Sequence, residues 1–358
     1  MNPAKISHRK HLSLVKDYTR SASAANLVYV SDKDPGIARV KKGKGFAYRL
    51  GDAPVKDKTE IRRIRQLVIP PAWTKVWICT RPNGHIQATG FDARERKQYR
   101  YHPLWNVLRN ETKFHKLTEF GQRLPALRLQ VEKDFLQPAL TEQKVIAAVI
   151  GLMERTYIRI GNTAYEKTNG SHGLTTLHDK HVSIEAGNIR FSFRGKKGIN
   201  HTISLRNRKL AGIVRQCRDI PGKELFQYYD QEGNRQPVDS GMVNRYIRQH
   251  MGETFSAKDF RTWAGCLHAL RAFRQIGLFK TGAECKHNIN LALDEVSRQL
   301  GNTRAVCRKY YVHPQILHLY EENRIQSYLD QLDEIEKNDD RTSLTSEEKV
   351  LMSLLNAV

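Results

Sequence analysis

Five cysteines, Cys79, Cys217, Cys266, Cys285 and Cys307, are spread through 358 residues without a CxxC pair. That spacing speaks against a zinc ribbon and a disulfide framework, and makes a reducing, intracellular compartment the expectation. Long apolar runs are missing too. The longest, Val145 to Met153, has nine residues, whereas a membrane span needs about 20. The first 25 residues are polar and basic with no apolar core of secretory type, so export is not expected. No GxxxxGK[ST] loop is present to hold a nucleoside triphosphate, and no GxGxxG opens a helix after a strand. Nor does any acidic cluster suggest a pair of magnesium ions for phosphoryl transfer.

What the chain has in excess is positive charge. Lys and Arg number 60 against 37 Asp and Glu, a formal net charge of +23. The segment 326–358 carries eight acids and three bases, a net of −5, so the preceding 325 residues hold +28. A body that basic is expected to attract a polyanion, nucleic acid before anionic membrane, because no basic amphipathic segment with a Trp/Leu face stands out. Charge alone supplies affinity without chemistry.

Periodicity divides the chain. From Leu27 to about His102 the pattern is strand-like, with Val76–Ile78 and His85–Thr89 either side of a Pro82-Asn83-Gly84 turn. Thr59–Leu67 reads as a short basic helix stopped by Pro70-Pro71. Lys41-Lys42-Gly43-Lys44-Gly45 reads as a flexible basic loop. From about Leu104 the period becomes helical, and Thr141 can cap a helix running through Val145, Ala148 and Leu152 towards Ile158 and ending near Gly161. Short strands are expected around 174–177, 181–185, 189–194 and 200–205, with tight turns at Ala186-Gly187-Asn188 and Gly195-Lys196-Lys197-Gly198. Helices follow over about 207–218, 241–250, 257–276 and 286–300, with a last pair from Arg304. Ser256 and Asp259 form a capping box that puts Arg261 in the first turns of its helix.

Few residues suggest chemistry by pattern alone. His178 and His181 have HxxH spacing, but no Cys or carboxylate pair completes a ligand set, so structural histidines are the better reading and no metal site is expected. A basic protein that cuts nucleic acid without a metal needs side-chain cations and a protein nucleophile. If Thr303 caps a helix, Arg304, Arg308 and Tyr311 stand at i, i+4 and i+7 on one face, and guanidiniums favour a phenolate. Tyr310 points about 100° away and looks like a packing residue. The same string also reads as a basic helix with two aromatic packers.

The string Cys307-Arg308-Lys309-Tyr310-Tyr311-Val312-His313-Pro314 resembles the tyrosine motif of type IB DNA topoisomerases in their poxvirus-like and bacterial branch. Ile69–Thr74, Gly84–Gly90 and Arg96–His102 resemble the family's N-terminal domain. Tyr157–Asn162, Gly170–Leu177 and Lys258–Trp263 resemble its catalytic domain. By position, the resemblance implies Tyr311 as nucleophile, Arg159 and Arg261 as the arginines gripping the scissile phosphate, and Lys196 as general acid. Asn302 falls where poxvirus members carry His and bacterial members commonly Asn. In the family, the segment matching Lys97, Gln98, Tyr99, Arg100 and Tyr101 touches DNA. Arg308 is a further candidate contact, and Glu95 stands where family members often have Gly.

The implied fold is α+β. A basic lead-in (1–25) precedes a small β-rich N-terminal DNA-binding domain (26–104). A larger, mainly α-helical catalytic domain follows (105–336), of tyrosine recombinase/type IB topoisomerase type with a short antiparallel sheet. The last segment (337–358) is an acidic tail, or a short closing helix, and the two domains are expected to form a C-shaped clamp. The implied enzyme relaxes supercoiled duplex DNA through a 3′-phosphotyrosyl intermediate, strand rotation and religation, without ATP, metal or other cofactor. It is expected to work as a monomer, with duplex DNA and no membrane as partner, in the cytoplasm at a bacterial nucleoid. A tyrosine site-specific recombinase and a non-catalytic DNA-binding protein of the same fold are the alternatives.

Overall fold

The computed structural model describes residues 17–43, 45–332 and 342–357. Its architecture is α+β, with antiparallel sheets throughout. Two compact units divide the chain at Lys116/Leu117, partway along the helix Pro103–Phe135.

The first unit is built on a six-stranded sheet in the order β3-β2-β1-β4-β5-β6. These strands are β1 Gly36–Lys42, β2 Gly45–Leu50, β3 Ala53–Pro54, β4 Thr74–Cys79, β5 Ile86–Phe91 and β6 Lys97–Tyr101. The basic helix is present at Lys58–Gln66, with Asp57 accepting from Thr59 N. Its Ile64 joins Ile37, Val76, Ile78 and Ala88 in one buried cluster. Burying an aliphatic side chain of this size contributes about 1.5–3 kcal/mol, which lets so basic a helix stay docked. The expected basic loop is corrected to a tight hairpin turn, since Lys41 and Lys42 end β1 and Gly45 starts β2; Gly43 is left-handed at φ +56°, and Lys44 lies outside the described residues. Glu95 also sits in the left-handed region, at φ +54°, which is the physical reason a glycine suits that turn.

Residues 18–24 of the lead-in form a helix capped by Asp17; residues 1–16 lie outside the described residues. Two further expectations are corrected. Leu174–Thr176 is a single 3-10 turn rather than a strand. At the acidic end, Ser346–Asn356 is a helix that buries Val350, Leu351, Leu354 and Leu355, so the closing-helix reading holds there and the tail reading does not. Residues 333–341 lie outside the described residues.

In the second unit the helix Glu142–Thr156 is buried on nearly every side, with Val145 and Ala147 to Ile150 fully covered. The other elements pack round it. A three-stranded meander, β7 Val182–Glu185, β8 Asn188–Arg194 and β9 Asn200–Arg206, leads to the helices Arg208–Asp219, Ser240–Met251, Ala257–Ile276 and Gly282–Leu300. Arg128, on the Pro103–Phe135 helix, makes a bidentate pair with Glu348 at 2.8 Å and a second pair with Glu154. Trp263 Nε1 also donates to Glu348, at 2.9 Å. The closing helix is thereby tied to the helix that carries Arg261.

Candidate active site

Tyr311 is held by the helix Ala257–Ile276. Residues 261 and 265 are one turn apart on the same face. Gly265 has no side chain there, and a Cβ would lie 2.5 Å from Tyr311 O. That absence lets the tyrosine backbone rest on the helix, while Cys266 Sγ lies 3.5 Å from the same carbonyl. Arg261 then reaches across to the ring, its guanidinium carbon 5.5 Å from the Tyr311 centroid. Tyr311 itself follows the helix Arg304–Tyr310 as its C-cap, at φ −127° and ψ −19°, with its N–H still donating to Cys307 O.

This placement corrects the helical-face reading of the motif. Arg304 is engaged by Asp294, at 2.7 and 2.5 Å. Arg308 lies 3.9 Å from Glu321. The guanidinium over the phenol belongs to Arg261, supplied by a distant segment. Tyr310 points elsewhere, is 37% exposed and lies under Lys309.

Arg159 arrives by a different route. The helix Glu142–Thr156 ends earlier than its pattern implied, at a left-handed Tyr157 with φ +57°, so Arg159 lies on the irregular chain beyond the helix. Leu174 N donates to Arg159 O at 2.9 Å. Gly173 is pressed against that carbonyl, where a Cβ would come within 2.4 Å. The Arg159 guanidinium donates to Asn302 Oδ1 at 2.7 Å and to Gly301 O at 3.2 Å. Arg261 donates to Leu300 O at 2.6 Å and to Tyr157 O. Its buried Nε has no hydrogen-bond partner among the described residues.

Lys196 occupies the exposed β8–β9 turn, where Lys197 takes the left-handed conformation at φ +63°. Arg159, Lys196 and Arg261 line one pocket together with His172, Phe193 and His201. Among the described residues neither arginine meets a carboxylate. Burial, and then Arg261, bring Arg159 down to about 10. Burial lowers Arg261 against the opposing pull of Tyr311. Lys196 is lowered by desolvation and then by Arg159. Three cations, each lowered first by burial and with no carboxylate lining their pocket, make a site electrostatically suited to an external anion.

The structure thus brings Arg159, Lys196, Arg261, Asn302 and Tyr311 into one neighbourhood of the second unit. It adds His201 and Gly265, which had no distinguishing signal in the sequence. His201 packs against the turn glycine Gly195 and the helix-ending Gly301, and burial followed by Arg159 and Arg261 lowers its pKa. In the first unit, alternation along β6 splits the five candidate DNA contacts. Lys97, Tyr99 and Tyr101 are exposed, with the two tyrosine rings stacked 5.7 Å apart. Gln98 bonds Asp92, and Arg100 donates to Val68 O.

Comparison with known proteins gives this site its family. The family described as eukaryotic DNA topoisomerase I, catalytic core, matches residues 97–339. The bacterial DNA topoisomerase IB N-terminal domain matches residues 45–92. DNA topoisomerase 1B of Acanthamoeba polyphaga mimivirus is 35% identical over 296 residues, covering 80% of this chain and 88% of that protein. DNA topoisomerase 1B of Vaccinia virus (strain Copenhagen) is 24% identical over 234 residues, 64% of this chain and 71% of that protein. The chain belongs to the type IB DNA topoisomerase family and is an enzyme of that class. No helix among the described residues is long and apolar enough to cross a membrane.

Proposed function

We propose that this topoisomerase relaxes supercoiled duplex DNA by nicking one strand through Tyr311, letting the free end rotate, and resealing. The observation that carries the reading is the Tyr311 ring beside Arg261, which with Arg159 and Lys196 lines a pocket that has no carboxylate in its lining. Attack by the Tyr311 oxygen on a phosphodiester, its phenolic proton passing to solvent, forms a 3′-phosphotyrosyl bond as the bond from phosphorus to the 5′-oxygen breaks. Charge gathering on the non-bridging oxygens meets the Arg159 and Arg261 guanidiniums, which can each present two parallel N–H groups. Asn302, already bonded to Arg159, can donate its amide to the same phosphate but cannot move a proton. Lys196, its proton loosened by its surroundings, gives that proton to the leaving oxygen. Resealing runs the same steps backwards, and because the tyrosyl ester conserves the bond energy, neither ATP nor a metal ion is required.

In the first unit, the exposed Lys97, Tyr99 and Tyr101 face of β6 is a suitable DNA contact, with aromatic and cationic groups alternating. Lys97, paired with Asp32 at 2.5 Å, and Gln98 and Arg100 take part by exchanging their internal partners. Arg308 sits on the helix that precedes Tyr311 and is well placed for a phosphate contact.

Relaxation of supercoiled plasmid in EDTA without ATP tests the reading, comparing wild type, Tyr311→Phe and Tyr310→Phe with a denaturant quench. Wild type and Tyr310→Phe are expected to relax DNA and leave protein on a 3′ end, and Tyr311→Phe to do neither. Trapped protein in Tyr311→Phe but not in Tyr310→Phe would reverse the choice of nucleophile. Tight binding without relaxation by wild type would favour a recombinase or an inactive binder, which trapping on a short duplex separates.

A further inference from the structure

The expectation that His178 and His181 lack partners to complete a ligand set changes once the chain is folded. Glu166 on the helix Thr163–Asn169, His172 in the loop after it, and His178 before the next short turn converge, with one ligand atom of each within 4.8 Å of the others. All three are half-buried.

The hydrogen bonds sort the imidazoles by role. His172 Nδ1 lies 2.5 Å from Thr176 O. A carbonyl can only accept, so Nδ1 holds the proton and Nε2 keeps its lone pair. A backbone carbonyl behind the far nitrogen is what commonly orients a metal-ligating histidine. His178 Nε2 already faces Glu166 Oε1 at 2.9 Å. His181 is different. Its Nδ1 accepts from His178 N at 3.0 Å, which places its proton on Nε2 and leaves no lone pair for a ligand. The residue that completes the HxxH spacing therefore drops out, and two residues from elsewhere take its place.

We propose that Glu166, His172 and His178 bind a borderline divalent cation of the zinc type, at a structural site that adjoins the cation pocket through His172. Two imidazoles and one carboxylate suit that class of ion, and three protein ligands leave a fourth position to water. Ligands about 2.0–2.2 Å from zinc stand roughly 3.4 Å apart, so closure calls for side-chain movements of about 1 Å. Binding moves the His178 proton from Nε2 to Nδ1 and opens the Glu166 oxygen. Lys223, 2.9 Å from that oxygen on a side chain 64% exposed, swings into solvent. The cation would brace the loop under the pocket. His172 N donates to Arg194 O, next to the turn that carries Lys196, and the following Gly173 packs on Arg159 O.

Calorimetric titration of the tag-free, chelator-stripped full chain with zinc chloride tests this. Wild type is expected to bind one equivalent and to gain several degrees in thermal midpoint. Glu166→Gln and His178→Ala should each weaken binding at least tenfold, while the exposed His287→Ala leaves it unchanged. Cobalt(II) in wild type should give visible ligand-field bands without a thiolate charge-transfer band, a readout that needs no variant to fold. Absence of saturable binding, unchanged affinity in both site variants, or a thiolate band would each overturn the site. Zinc binding and the cobalt spectrum are read without any DNA cleavage, so the two proposals fail separately.

Discussion

Two sets of buried arginines in the second unit solve opposite problems. Arg128 is enclosed by Glu154 and Glu348; burial by itself would lower its pKa, but the two carboxylates more than reverse that. Arg159 and Arg261 meet backbone carbonyls, Asn302 and Tyr311, and both are lowered, chiefly by burial. The first charge is neutralised inside the fold and holds the closing helix in place. The second pair is left short of an anion, an unfavourable arrangement that a packed core would not retain for stability. Arg128 with its carboxylates is a structural tie, whereas Arg159 and Arg261 keep a charge that the proposed mechanism uses for a phosphate.

The comparison can be broken first at Lys196. Lys196→Ala is expected to lower single-turnover cleavage by about 10²–10⁴-fold. Because its ammonium gives up the proton more readily than a free lysine, wild-type cleavage should begin to decline below the ordinary lysine pKa of about 10.4, and the variant should lose that decline. A 5′-bridging sulfur, which leaves without a proton, should restore the variant. Failure to restore it would remove Lys196 from the proton-donor role.

Arg159→Ala should cost roughly 10²–10³-fold in cleavage, the loss usual for one fixed donor at a developing oxyanion. Its thermal midpoint should hold or rise, because the substitution relieves repulsion between two cations. A large fall in midpoint with little change in cleavage would make Arg159 a structural arginine after all.

Glu348→Gln should do the reverse, lowering stability by about 3 kcal/mol and the midpoint by roughly 6–12 °C with cleavage per folded molecule retained. Burial would raise the Glu348 carboxyl, but Arg128, and then Trp263 and Thr345 N, hold it below its ordinary value. Its contribution is therefore fully present above the unfolded carboxyl pKa of about 4.3 and lost as pH falls below it. Acid unfolding of the variant should be correspondingly less steep. The smallest effect is at Glu95, whose left-handed backbone should make Glu95→Gly stabilising by at most about 1 kcal/mol. Chemical denaturation measures both.

Much of the fold was legible because its signals are local. The Ser256/Asp259 box sits where expected, at the start of Ala257–Ile276, since capping involves atoms three residues apart. The meander turns at 186–188 and 195–198 fall between β7, β8 and β9, set by glycines that supply left-handed backbone. Features fixed by distant partners were missed or left open between alternatives. The helix before Arg159 stops at Tyr157, whose carbonyl accepts from Arg261 more than 100 residues away. The closing helix is held by Arg128, 220 residues distant. Neither influence leaves a mark in a short window of sequence.

The sequence by itself determined the polyanion-seeking charge, the order of elements and, through ordered motifs, the five candidate residues of the site. Only the tertiary structure decided which cations keep company with the tyrosine, giving Arg261 the place that helical spacing assigned to Arg304 and Arg308. It also decided that Arg128 is neutralised while Arg159 and Arg261 are not, and that Glu166 and His172 join His178 in place of His181. Sequence fixes which charges exist and how neighbours along the chain are spaced. Coulomb energy and desolvation depend on distance through space and on burial, and those are set only when remote segments pack.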